Sequence, residues 1–236
     1  MGIIDIEAIV AKFKGMAEQY QNAVPFPHMS TNGLFDEETL RTINDEFLIP
    51  QAMSTAFIGI AEGGKFAESD INKMGPVTQQ FLRECNSQEF LDALSIITGV
   101  DNLVADPALI GGGLHQTVRG GRLKVHSDFN VDASHRFVRK LNLLIYLNDG
   151  WQEEWGGALE LWDKDMTRAV VKVPPVLGQV ALFTCSDISY HGLPDPIDCP
   201  DGVTRRSLAL YYYVDEGSIP EPRSTLWKER PGESFL

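Results

Sequence analysis

The spacing of apolar positions along the chain changes near residue 100. From Ile3 to Gln21, residues Ile6, Ile9, Val10, Phe13, Met16 and Ala17 recur on one helical face, which predicts an amphipathic helix. Pro25 and Pro27 break that pattern. Asp36 stands as an N-cap before EETLRTINDEF, and Ser87 precedes a run in which Phe90, Leu91, Leu94 and Ile97 share a face before Gly99 closes it. Residues 1–100 are therefore expected to be a mainly helical support. From about Leu103 the texture shifts to short apolar or alternating runs separated by Gly, Pro, Asp and Asn: RLKVHSDF, KLNLLIYLN, GALELWD, RAVVKV, GQVALFT and RRSLALYYYV. These read as strands, and with no helical patterns between them they argue for an antiparallel sandwich or barrel over 101–215. In the last run Leu208, Leu210, Tyr212 and Val214 fall on one face, and Arg205, Ser207, Ala209, Tyr211 and Tyr213 on the other. One face can pack on helices while the other lines a cavity. Residues 216–236, rich in Pro and charge, are expected to wrap the surface as a tail.

Composition narrows the class. The 236 residues fit one domain with a full core. Hydrophobic residues at 43% and charged ones at 22% are ordinary for a globular protein, which argues against a disordered or fibrous chain. The 33 acidic residues against 20 basic ones leave a net charge of -13, a field that repels nucleic-acid phosphates and anionic lipid. Neither nucleic acid nor membrane is an expected partner. Cys85, Cys185 and Cys199 are odd in number and lack C-x-x-C spacing, so they read as free thiols of a reducing compartment. Asp5 and Glu7 stand where a signal peptide needs basic charge, Ile6 stands where a myristoylation signal needs Ser or Thr, and no apolar run approaches the ~18 residues of a membrane span. The expectation is a cytoplasmic protein, with the oligomeric state left open.

The segment KVHSDFN places His126 and Asp128 two apart, so on a strand both side chains leave the same face and can share one metal ion. An H-x-D pair also occurs by chance on surface strands, and the weight comes from what surrounds it. His191 in SYHGLPDP follows several predicted strands later, far enough for a sheet to fold back and complete a facial set of two imidazoles and one carboxylate. Such a set leaves coordination positions open and suits Fe(II). Arg205 opens the final strand with Ser207 on its face, and its fork can hold a carboxylate bidentately within a cavity. Arg206 is the rival for that task, but alternation sends it to the opposite face.

Taken in order, PFPH near residue 25, HSD, YLNDGW, EEWGGALELWD, YHG, RRS and the closing YYYV resemble the prolyl 4-hydroxylase-type branch of the 2-oxoglutarate and iron-dependent oxygenases, over about residues 25 to 214. The resemblance implies an α+β fold: a double-stranded β-helix (jelly-roll, cupin-like) core with N-terminal helices packed on the major sheet. It implies Fe(II), with 2-oxoglutarate and O2 as co-substrates and ascorbate as an optional reductant. His126, Asp128 and His191 then correspond to the iron ligands, and Arg205 to the partner of the distal 2-oxoglutarate carboxylate. Ser207 fits the R-x-S pattern, Tyr146 of YLN corresponds to a second hydrogen-bond donor to that carboxylate, and Leu159 of GGAL flanks the co-substrate. Arg139 and Tyr211 match positions that face the substrate, while His115 and Gln116 open the strand before the triad and can reach the pocket.

Each of these has a plainer alternative. Tyr146 and Leu159 are also ordinary strand core, Arg139 a surface charge, Tyr211 a buried aromatic, and His115 and Gln116 partners for backbone groups. His28 and His135 do not look like ligands, and Trp151, Trp155 and Trp162 suit loop packing near the cavity mouth. The implied reaction is C–H hydroxylation coupled to conversion of 2-oxoglutarate to succinate and CO2. Its target is a prolyl residue of a peptide or protein, or alternatively a free amino acid or other small metabolite. Asp128 disfavours halogenation, because halogenases of the superfamily carry a small residue there. A non-catalytic binding module of the same fold is the reading from a different class; four polar groups on inward faces argue against it, since burying them is costly.

Overall fold

The computed structural model describes residues 2–234. The capping residues read from the sequence take up their positions. Asp5 accepts from the Ala8 amide at the start of α1 (Ile6–Gln21), Asp36 caps α2 (Glu37–Asp45), and Ser87 caps α4 (Gln88–Thr98), which ends at Gly99 with φ +70°. Between them α3 (Pro76–Cys85) starts on a proline, where the missing N–H has no helical partner to lose. The first hundred residues also contain three strands that the helical expectation passed over: β1 (His28–Thr31), β2 (Thr55–Ile58) and β3 (Glu62–Glu68).

The remaining strands are β4 (Leu103–Val104), β5 (Gly113–Ser127), β6 (Val138–Tyr146), β7 (Leu159–Trp162), β8 (Ala169–Val173), β9 (Val180–Thr184), β10 (His191–Leu193), β11 (Arg205–Val214) and β12 (Leu226–Trp227). They pair antiparallel in the order β1-β9-β6-β11-β5-β10-β7-β8, with β3 and β12 also on β5 and β2 on β3. The long strand β5 belongs to both halves of this network. Its residues Gly113 to Thr117 pair with β11, whereas Leu123 and His126 pair with β10. Between them the strand bends at Gly120 and Gly121. A Cβ on Gly121 would lie 2.4 Å from Thr117 Cγ2 and 2.8 Å from Gly64 O, so the close approach admits only glycine. The bend rolls the sheet into the near-barrel of a double-stranded β-helix.

Alternation decides what each face meets. Leu141, Leu143 and Ile145 of β6, Leu182 of β9, and Leu208, Leu210 and Tyr212 of β11 form one buried cluster with Ile9, Phe13, Phe81, Phe90 and Leu94 of the helices. The helices thus sit on the major sheet, and the Tyr212 hydroxyl donates to Cys85 O at 3.0 Å across that layer. Each such side chain contributes roughly 1.5–3 kcal/mol on burial, so a one-residue slip of β11 would exchange this cluster for Arg205, Ser207 and Tyr211. Among the described residues all three cysteines are free thiols, and no helix is long and apolar enough to cross a membrane.

Arg206 lies on the face opposite Arg205, as alternation requires, but it is not a solvated side chain. Its Nη1 donates to Asn44 O and Asn44 Oδ1, both at 3.0 Å, and its guanidinium sits 5.3 Å from the Phe47 ring, which ties β11 to the end of α2. Arg206→Ala is therefore expected to lower stability by about 1–3 kcal/mol. The check is a shifted denaturant midpoint at unchanged slope; a midpoint equal to wild type would show that this tie carries no stability.

Candidate metal centre and its cavity

Strand pairing brings His126 of β5 directly opposite His191 of β10. Their ring centroids are 4.4 Å apart, and Asp128 follows one residue beyond the end of β5. His126 Nε2 lies 3.5 Å from Asp128 Oδ1, and His191 Nε2 lies 3.4 Å from Asp128 Oδ2. One ligand atom from each of the three residues falls within 4.8 Å of the other two. Both imidazoles are oriented by backbone carbonyls: His126 Nδ1 is 2.8 Å from Lys124 O, and His191 Nδ1 is 2.9 Å from Ser189 O. A carbonyl only accepts, so in each ring Nδ1 carries a proton and Nε2 is the atom turned to the shared point. Burial brings the His191 pKa down to about 4, against an opposing pull from Asp128, so this ring is neutral near pH 7. For Asp128, burial alone would raise the pKa, but the Arg139 guanidinium and His191 hold its carboxyl well below the usual range. Two imidazoles and a carboxylate are a donor set for a first-row divalent ion rather than for Ca2+ or Mg2+.

The carboxylate is held from behind. Asn142 Nδ2 donates to Asp128 Oδ2 at 2.7 Å, Arg139 Nη2 lies 3.3 Å from the same oxygen, and Arg139 Nε and Nη2 donate to Asn142 Oδ1 at 2.9 and 2.7 Å. The Arg139 guanidinium lies 3.5 Å from the Tyr211 ring centroid and 4.3 Å from that of Phe129. Arg139 and Asn142 are an odd number of residues apart, so a regular strand would send them to opposite faces. Lys140 drops out of the β6–β11 pairing between Leu141 and Arg139, and this bulge turns both side chains inward.

A second polar group lies further along β11. Arg205 Nε donates to Gly157 O at 2.6 Å, while among the described residues its two terminal nitrogens have no protein acceptor. Its Cζ lies 4.7 Å from the ring of Tyr146, whose buried hydroxyl has no hydrogen-bond partner among the described residues. Gly157, at φ +82°, takes a conformation that L side chains rarely adopt, and a Cβ there would come within 3.3 Å of Arg205 Cδ. A guanidinium with its terminal nitrogens turned to the cavity, beside a buried hydroxyl, fits a carboxylate from outside the protein.

One cavity of about 240 Å³ collects His126, Asp128, His191, Arg205, Ser207, Leu159, Arg139, Tyr211 and His115. Tyr146 lies behind Arg205. His115 is kept neutral by burial, and its Nε2 is 3.0 Å from Gly111 O. Gln116 is not brought to this cavity. Its amide donates to Leu48 O and Met53 Sδ, and its carbonyl oxygen accepts from Thr204, all on the other face of β5. His28 bonds Phe26 O within the β1 region, and Trp151 donates to Gly156 O and packs edge-on against Trp155.

The sequence reasoning missed Asn142, whose signal was a polar residue inside the apolar run KLNLLIYLN. It also missed Phe129 and Leu144 in the cavity wall, and Phe57, Glu62 and Lys65 of the β2–β3 hairpin. The tail does more than wrap the surface. Leu226 and Trp227 pair with Ser127 and His126, the Trp227 ring lies 5.2 Å from that of His126, and Arg223 Nη1 donates to Asp128 O at 2.6 Å. Thr225 and Trp227 form part of the cavity wall.

Residues 112–213 match the family described as the 2OG-Fe(II) oxygenase superfamily. Among solved structures, a prolyl-4-hydroxylase from Pseudomonas putida shares 19% identity with a TM-score of 0.55, covering 87% of this chain and 98% of its own. A prolyl hydroxylase from Trichoplax adhaerens, solved with a peptide of the hypoxia inducible factor oxygen degradation domain, shares 16% identity with a TM-score of 0.58, covering 88% and 91%. HygX from Streptomyces hygroscopicus, solved with nickel, 2-oxoglutarate and hygromycin B, shares 14% identity with a TM-score of 0.53, covering 80% and 83%. At these identities the likeness is one of fold. No curated protein matches the chain in sequence.

The network behind Asp128 has a measurable consequence. Asn142→Ala should weaken binding of Fe(II) or Ni(II) by about 10- to 100-fold, because the Asp128 carboxylate of the candidate centre loses its orienting donor. Equilibrium metal titration is the check, and wild-type affinity in the variant would show that Asn142 does not position the ligand.

Proposed function

We propose that the protein is an Fe(II)- and 2-oxoglutarate-dependent hydroxylase acting on an unactivated C–H bond of a prolyl residue or a proline-like amino acid. One observation carries the reading: the His126–Asp128–His191 donor set shares a cavity with Arg205, and Arg205 lies against the buried Tyr146 hydroxyl, which has no hydrogen-bond partner among the described residues. His126, Asp128 and His191 hold the iron. Arg205 and Tyr146 receive the distal carboxylate of 2-oxoglutarate, with Ser207 beside it and Leu159 and Leu144 flanking the chain of the keto acid. Bound there, iron and 2-oxoglutarate supply oxidative chemistry in which one atom of O2 enters the C–H bond and the other enters succinate, with loss of CO2.

The protein's own residues do the positioning. The carbonyls of Lys124 and Ser189 fix the two imidazoles, and Asn142 with Arg139 fixes the carboxylate, so three donors are set before the metal arrives. Phe129, Tyr211 and Trp227 line the cavity with aromatic surface that limits water. The 236 residues act as one unit, with the tail contributing a wall. The prolyl hydroxylases among the structural neighbours support the prolyl reading. The compact cavity supports the small-metabolite alternative, since it is below the ~300–1,000 Å³ usual for sites that enclose a drug-sized ligand.

The test is anaerobic titration with Fe(II) and then 2-oxoglutarate, followed by O2 and measurement of succinate. Wild type should bind both and form succinate, and His191→Ala should lose iron. Arg205→Ala should keep iron but bind 2-oxoglutarate about 10- to 100-fold more weakly, the loss expected for a charge-assisted contact of about 1.5–3 kcal/mol. Arg206→Ala should leave that affinity unchanged. Wild-type protein that binds iron but neither binds nor consumes 2-oxoglutarate would end the reading.

A further inference from the structure

The main chain that carries Asp128 has already left β5, one residue beyond its end, so its carbonyl lies outside the ladder. The tail holds it instead. Arg223 Nη1 donates to Asp128 O at 2.6 Å, the Arg223 amide donates to Asn130 Oδ1 at 2.9 Å, and Asn130 Nδ2 donates to Glu221 O at 3.0 Å. The same guanidinium reaches the segment that carries the third donor, because its Nε and Nη2 donate to Asp187 Oδ1 at 3.1 and 2.6 Å. Asp187 begins the turn that leads through Ser189, whose carbonyl orients His191. Beyond Arg223 the tail keeps to the same two segments. The Lys228 amide donates to Val125 O at 2.8 Å, Lys228 Nζ lies 5.2 Å from the Tyr190 ring, and Glu233 pairs with Lys124, whose carbonyl orients His126.

An arginine suits this bridge because its fork is planar with donors at fixed angles, so contacts to two segments hold them at one separation. The pair with Asp187 adds little stability, since that carboxylate is 80% exposed. Its effect is geometric. Metal donors tolerate little displacement, and groups that orient them from behind commonly change metal affinity by about 10- to 100-fold. The tail's contacts fall on the chain beside each of the three donors, which a simple cover over the cavity would not require.

We infer that the tail is a working part of the metal centre and that Arg223 is its positioning residue, holding the Asp128 and His191 segments at the separation that one divalent ion requires. On the hydroxylase reading above, on which this inference rests, that ion is Fe(II). By linkage, tail docking and metal binding strengthen each other by the same factor. Charge alone predicts the opposite sign: a guanidinium this close to the donor set repels a dication, so its loss without a positioning role would tighten metal binding.

The experiment titrates the metal-free protein by calorimetry with Ni(II), and with Fe(II) under anaerobic conditions. Hydrogen exchange of residues 221–230 is then followed by mass spectrometry with and without saturating Ni(II). Arg223→Ala should bind both ions about tenfold more weakly than wild type. Arg223→Lys, which keeps the charge without the fork, should fall between the two. Arg119→Ala, which removes an exposed arginine pair away from the tail, should bind as wild type does. In wild type, bound Ni(II) should slow exchange of the tail about tenfold, and Arg223→Ala should lose most of that slowing. Metal binding by Arg223→Ala that equals or exceeds wild type overturns the inference, as does an equal loss in Arg119→Ala or a wild-type tail whose exchange is indifferent to bound Ni(II). Should the alanine variant not fold, Arg223→Lys decides, and wild-type affinity in it is then the overturning result. A wild-type protein that takes up neither ion in the titration instead overturns the hydroxylase reading beneath.

Discussion

Backbone pairing of β5 with β11 over its first part and with β10 over its second is the constraint on which the whole cavity depends. Thr117 lies opposite Arg205 and His115 opposite Ser207, while further along the same strand His126 lies opposite His191. One continuous strand thus sets the separation between the donor set and the Arg205 guanidinium. Its register is enforced from outside the cavity, because Leu208, Leu210 and Tyr212 of β11 must meet the helices when Arg205, Ser207 and Tyr211 face in. The helical layer is therefore more than a cover, since its packing selects which face of β11 looks into the cavity. The bend that lets one strand serve two sheets needs glycine at 121, facing Gly64, where no side chain fits.

The interior accommodates several charges by pairing them. Asp128 accepts from Asn142 and lies beside Arg139, and Lys65 is matched by Glu62. Buried polar atoms without a partner are few among the described residues: Ser127 Oγ, Arg139 Nη1 and the Tyr146 hydroxyl. Folded proteins seldom leave such groups unsatisfied. That two of the three belong to Arg139, which lines the cavity, and Tyr146, which lies behind Arg205, is what an interior completed by ligands looks like.

Much of this was legible in the sequence where a single strand's alternation sufficed. The faces of β11 follow directly from RRSLALYYYV, and the H-x-D pair declares its common face in the same way. The same rule already implied that adjacent residues part company, so His115 and Gln116 could not both reach the pocket; Gln116 went to the other face. Other features depend on information held elsewhere in the chain. The inward turn of both Arg139 and Asn142 comes from a bulge at Lys140, which exists only in the pairing with β11. The partners of Arg206, Asn44 and Phe47, are distant in sequence, so alternation could place its side chain on the far face but could not show that the face is covered. In the β2–β3 hairpin, Gly63 and Gly64 interrupt the alternating pattern that would have marked strand β3.

The tail extends the same division between what a family pattern carries and what one chain adds. Every residue assigned here to metal and co-substrate falls within 112–213, the span matched by the oxygenase superfamily. Six of the cavity's remaining wall residues lie outside it: Phe57, Glu62 and Lys65 on the β2–β3 hairpin, Gly111 just before β5, and Thr225 and Trp227 on the tail. The tail's exposed ion pairs, such as Arg223 with Asp187, contribute little by themselves. It is held instead by backbone pairing along Ser127 and His126, by Trp227 beside the His126 ring, and by the Lys124–Glu233 pair with its largely buried lysine. These contacts fall on the strand that carries His126 and leads into Asp128, and cover part of its edge. The space open to a substrate is thus walled in part by segments outside the matched span, while the chemistry proposed for that space is set within it.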